Sequence, residues 1–166
     1  MMNHLHNAQF RPGPDDSLLY FTHEGNVRWQ DPATQGYHAC VMSHTRRNRN
    51  TQLNYALPIW VKDRSELHLS AWMRANRRVP VQIRLRYQKQ NGELVKEEQI
   101  SLIAGPDWQW KYHSRPIPAG AEQLRLSLHL ASAATLQLRG PRVFFWWYRL
   151  FWDECDIILM IFRRQS

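Results

Sequence analysis

Six side chains have the types and spacing to hold a polar, extended and anionic ligand: Trp72, Gln82, Arg84, Arg86, Arg125 and His129. An indole offers an apolar plane. A guanidinium donates a planar fork that meets a carboxylate through two bonds, and the amide and imidazole add further hydrogen-bonding groups. Gln82, Arg84 and Arg86 are spaced two apart, as are Arg125, Ser127 and His129, and as are His68, Ser70 and Trp72. Alternate residues of a strand share a face, so each run presents these groups to one side. If the strands lie in one sheet, they form a single open surface. A solvated sheet face also carries arginine for solubility alone, so the placement of the strands decides what this surface can do.

The elements that must position these groups lie between Leu67 and Leu130. Leu67, Leu69, Ala71 and Met73 share a face of the first run, and Val79, Val81, Ile83, Leu85 and Tyr87 of the second. Trp108, Trp110 and Tyr112 do so in a third, and Leu124, Leu126, Leu128 and Leu130 in a fourth. This period of two is that of half-buried strands, and it assigns the three aromatics of the third run to the core. Asn91-Gly92 is a hairpin signal because both residues accept positive φ, and it joins the arginine-bearing strand to Leu94 to Leu102 as an antiparallel neighbour. Glu24-Gly25-Asn26, Asp31 to Gly36, Gly105-Pro106-Asp107, Pro116 to Ala121 and Ala131 to Thr135 read as turns or connections. Short strands are expected at Leu18 to Thr22, Val27 to Gln30, Tyr37 to Ser43 and Gln52 to Ile59, with Leu136, Leu138 and Val143 to Trp146 completing the sheet. The fold class is all-β: an antiparallel β-sandwich in one domain, residues 1–146, followed by an aromatic C-terminal segment, 147–166.

At 166 residues a single domain buries about two thirds of its unfolded surface, enough to fold without a metal or disulfide. The net charge of +8, with eight histidines besides, draws the chain to anions. Cys40 and Cys155 permit one bridge but no disulfide framework. The N-terminus, with His4 and His6, has no apolar leader and reads as a mobile end; that places a complete chain in the cytoplasm, and an excised module outside it or in the periplasm. Arg46, Arg47 and Arg49 make a basic loop. A short exposed basic turn is the commoner account of such a loop, and a nucleic-acid role ranks third.

The run Val143 to Phe162 is apolar but interrupted by Arg149, Asp153, Glu154 and Asp156. Each such charge at mid-span costs roughly 2.5 to 3.5 kcal/mol, which argues against a transmembrane helix. Its two readings are a closing strand or a docking segment, in which Trp147, Phe151 and Trp152 contact a protein partner or membrane.

Catalytic patterns are sparse. Glu97 and Glu98 are adjacent and point to opposite faces of a strand, whereas glycoside hydrolysis needs two carboxyls across one bond, ~5 to 9.5 Å apart. No nucleophile elbow, phosphate loop or His-Glu-x-x-His occurs, so no enzyme activity is expected.

The strands "ELHLSAWMRA", "VPVQIRLRYQKQNGE", "GPDWQWKYHSRPIPAGAEQLRLSLHL" and "ATLQLRGPRVFF", over Gln9 to Phe145, resemble the jelly-roll carbohydrate-binding modules fused to glycoside hydrolases, including xylan- and glucan-binding ones. The resemblance implies a galactose-binding-domain-like sandwich with a sugar lying across its concave sheet, Trp72 under a pyranose ring and the arginines on its polar groups. Many such modules hold a structural calcium with an acidic residue near the close of the fold. Here Arg139-Gly140-Pro141-Arg142 stands in that place, and no cofactor is expected. The basic face points to an anionic bacterial polysaccharide. The alternative is an assembly module docking through the C-terminal aromatics.

Overall fold

The structure, a computed structural model, describes residues 2–11, 20–30, 38–45 and 50–146. Eleven strands appear among these residues: β1 (Phe21–Glu24), β2 (Asn26–Gln30), β3 (Ala39–His44), β4 (Thr51–Tyr55), β5 (Ile59–Trp60), β6 (Glu66–Ala75), β7 (Val79–Gln88), β8 (Leu94–Ala104), β9 (Gln109–Pro116), β10 (Gln123–Leu130) and β11 (Ala134–Trp146). They form two antiparallel sheets. The front sheet runs β1-β4-β10-β7-β8, with β5 also paired to β10; the back sheet runs β2-β3-β11-β6-β9. The expected β-sandwich is therefore the observed fold.

The alternation explains how the sheets meet. Leu67, Leu69, Ala71 and Met73 of β6 face Val79 to Tyr87 of β7 and the leucines of β10 across a shared interior. Leu67, Leu85 and Leu124 are fully buried there, and each buried side chain of this kind contributes about 1.5–3 kcal/mol. A cavity of about 60 Å³ remains in this layer, lined by Leu53, Leu69, Met73, Ile83, Leu126 and Leu128 among others. Asn91-Gly92 turns β7 into β8 with Gly92 at φ +87°, the conformation the hairpin needs.

β11 carries a kink that its sequence announces. Leu136 and Leu138 point inward at even numbers, Val143 and Phe145 at odd ones, so one extra residue must lie between. It does: Arg139 pairs with Trp72 and Arg142 with Ser70, a register shift, and Gly140 takes φ +54° at the bulge. The bulge returns Arg142 to the same outer face as Arg139. Asn3 secures it, accepting from Val143 N at 2.9 Å and donating to Pro141 O at 3.1 Å.

That contact corrects the expectation of a mobile N-terminus. His4 N donates to Val143 O at 2.8 Å, and Leu5 and Phe10 are buried in the core. Gln52 to Ile59, expected as one strand, is divided into β4 and β5 around Pro58, which has no N–H for a ladder. Cys40 is free and buried, and burial pushes its thiol up to about 12. Cys155 lies outside the described residues. No helix among the described residues is long and apolar enough to cross a membrane.

Candidate functional site on the front sheet

Residues paired across a sheet point to the same side, so the registers lay out the front sheet's outer face in rows. One row joins Arg125, Arg86 and Glu97. The next joins Thr22, Asn54, Ser127, Arg84 and Gln99, and a third joins Glu24, Gln52, His129, Gln82 and Ser101. Beyond Arg125 lies a fourth row, Trp60, Gln123 and Gln88. Rows two residues apart are spaced ~7 Å, so the face extends ~20 Å along the strands.

The side chains are tied together. Glu97 bridges two arginines, 3.5 Å from Arg84 Nε and 3.0 Å from Arg86 Nε. Arg125 Nη1 donates to Ala56 O at 2.8 Å, and Ser127 Oγ lies 3.1 Å from His129 Nε2. Gln52 donates to Asn54. Burial, and then the neighbouring Arg84, hold the His129 imidazole below its usual range, with Glu24 pulling the other way. Glu98 turns inward from β8 and pairs with Lys96, so it does not share a face with Glu97.

Five of the six expected ligand residues, Gln82, Arg84, Arg86, Arg125 and His129, thus share one face. Trp72 does not. It stands on β6 of the back sheet, paired with Trp110 and Arg139, and points away from the arginines through the thickness of the sandwich. Period two assigns a side chain to one face of its own strand, and long-range pairing decides which sheet that strand joins. The aromatic plane on the arginine face is Trp60, 53% exposed. It sits one residue past the expected strand, in the two-residue β5.

Two further corrections concern the back sheet. Trp110 and Tyr112, expected in the core, are 41% and 52% exposed on its outer face. β9 is an edge strand there, and Lys111 and His113 occupy the inward positions opposite Ala71 and Leu69. His68 and Ser70, expected on an open face, are buried. His68 stacks on Phe144, centroids 5.0 Å apart, with Nδ1 2.6 Å from the Tyr112 hydroxyl. At the Arg139-Gly140-Pro141-Arg142 bulge stand two guanidiniums, which do not fit a cation. Among the described residues no three histidine, cysteine or carboxylate side chains cluster as metal ligands do. Trp147, Phe151, Trp152 and the basic loop residues Arg46, Arg47 and Arg49 lie outside the described residues.

No family model matches the sequence, and no curated protein does. Solved structures do match. The enzymatically active domain of tailspike protein 4 of bacteriophage CBA120 superposes with a TM-score of 0.65 at 13% identity, covering 87% of this chain and 21% of that one. A family 16 carbohydrate-binding module gives 0.60 at 16%, covering 86% and 99%. TmCBM61 in complex with β-1,4-galactotriose gives 0.54 at 13%, covering 88% and 100%. This chain therefore spans about a fifth of the tailspike domain and essentially all of the two binding modules. At these identities the likeness shows the fold: a jelly-roll β-sandwich of the kind that carbohydrate-binding modules have.

Proposed function

We propose that this chain is a non-catalytic module that binds a carbohydrate, an anionic polysaccharide, across the outer face of the front sheet. The observation that carries the reading is the face itself: four rows of amide, imidazole, hydroxyl and guanidinium groups, with the carboxylates of Glu24 and Glu97 among them and Trp60 exposed at one end. Trp60 supplies the plane for the apolar side of a pyranose. Gln82, Gln123 and Asn54 meet hydroxyls, and Arg84, Arg86 and Arg125 meet carboxylates. Glu97 sits between Arg84 and Arg86 and competes with an anionic ligand for their guanidiniums until the ligand displaces it. The fold shared with TmCBM61, which was solved with a galactotriose, supports the ligand class.

The test is titration calorimetry with oligogalacturonate and with a neutral galactan fragment. The acidic ligand binds more tightly, and Trp60→Ala or the pair Arg84→Gln and Arg86→Gln weakens it about tenfold, a loss of ~1.4 kcal/mol. Unchanged affinity in both variants refutes the site.

A further inference from the structure

The front face leaves unused a second concentration of aromatic and cationic groups on the opposite side of the sandwich. Trp72 and Trp110 lie side by side on β6 and β9, ring centroids 5.6 Å apart. The Arg139 guanidinium carbon is 5.5 Å from the Trp72 ring and 4.8 Å from that of Trp108. Arg142 lies 5.7 Å from Trp110 and Arg74 5.1 Å from Trp108. Beside them opens a hollow of about 300 Å³ whose lining includes Arg74, Asn76, Thr135 and Gln137, and Arg74 Nε is oriented by Gln137 Oε1 at 2.7 Å. That volume is at the lower end of small-ligand sites.

We propose that this back face is a second glycan site, specific for a uronic acid unit, so that one module holds two acidic chain segments on opposite sides. The inference rests on the carbohydrate reading of the protein, though not on the front face. Its charge argues for an acid: three arginines lie in three successive strand rows, while Glu66, the carboxylate on the described strands of this face, sits further along β6 beside His68. The geometry argues for a carboxylate. The exposed Arg142 guanidinium beside Trp110 presents a planar fork, which suits a two-oxygen anion. The half-exposed Trp110 and Tyr112 then receive the apolar side of the sugar.

The test is titration calorimetry with tetragalacturonate on the full chain, its folding verified by thermal melting. The wild type binds two ligands per chain. The double variant Trp110→Ala with Arg142→Gln, both side chains exposed on the outer face, binds one, while Trp60→Ala leaves one on the back face. Arg139→Lys, which keeps the charge but loses the planar fork, weakens the back site about tenfold. A stoichiometry of one that only Trp60→Ala abolishes overturns the second site and leaves the front one standing. A stoichiometry of one that only the Trp110 and Arg142 double variant abolishes supports the back site and overturns the front. No binding overturns both, and back-face binding of oligothymidylate in place of the uronate overturns the ligand class.

Discussion

Arg86 of β7 and Arg125 of β10 are direct cross-strand partners, two positive charges facing the same side of the front sheet. Like charges placed opposite each other destabilise a sheet by up to ~1 kcal/mol. The fold offsets this locally: Glu97 sits 3.0 Å from Arg86, and Arg125 reaches the Ala56 carbonyl at 2.8 Å. Local rules are commonly broken where function requires it.

The pair makes stability and binding separable. Arg125→Gln relieves the repulsion and loses one exposed hydrogen bond, so stability to urea stays within about 1 kcal/mol of the wild type. Affinity for oligogalacturonate falls severalfold. A loss of stability beyond ~2 kcal/mol, measured by urea unfolding, assigns Arg125 a structural role instead.

Glu97→Gln removes the carboxylate shared by Arg84 and Arg86. All three side chains are more than a third exposed, so the ion pairs contribute at most a few tenths of a kcal/mol after solvent screening. The variant melts close to the wild type, binds the acidic ligand more tightly and loses that affinity more steeply as salt rises. Weaker binding would show that Glu97 contacts the sugar itself or is needed to orient the arginines.

Three imidazoles set a pH dependence. His4, His113 and His129 are held below their usual range, each chiefly by burial and then by a neighbouring arginine. The unfolded chain, with histidines near ~6.5, then binds more protons than the folded one. Their contribution to stability is complete above that value and is lost as pH falls through it toward the depressed folded values. The melting temperature therefore drops between pH 7.5 and 5, and His129→Gln reduces the drop. Binding runs the other way: an anion beside His129 favours its protonated form, so affinity for a uronate rises over the same interval. A flat binding profile would place the anion away from His129.

Asn3 satisfies two backbone groups at the β11 bulge. Asn3→Ala costs about 1–3 kcal/mol, measured by urea unfolding. Because the bulge turns Arg142 outward, the same change weakens uronate binding on the back face more than on the front. Equal weakening on both faces would mean a general loss of structure.

Much of this fold is legible in the chain. The runs of β6, β7 and β10 declare themselves by alternation, and Asn91-Gly92 fixes the one hairpin that carries the arginine strand. Two kinds of information are not local. The sheet that a strand joins is settled by pairing between distant segments, β6 with β11 and β7 with β10, and this separated Trp72 from Arg84. Which side of an amphipathic strand is buried depends on its position in the sheet: Trp110 and Tyr112 look like core by composition, yet edge strand β9 sends them outward. Trp60 has no local signature, because a two-residue strand after a proline has no periodicity to show.

The central claim is that the front face grips an acidic glycan through Trp60 and its arginines. A glycan array read at low and moderate salt, with wild type, Trp60→Ala and the Trp110→Ala, Arg142→Gln double variant side by side, tests it most directly. The account predicts selective binding of uronate-rich glycans by the wild type, a partial loss in Trp60→Ala, which keeps the back face, and a partial loss in the back-face variant, which keeps the front. Undiminished binding by Trp60→Ala, or no glycan bound by the wild type at either salt, would contradict it.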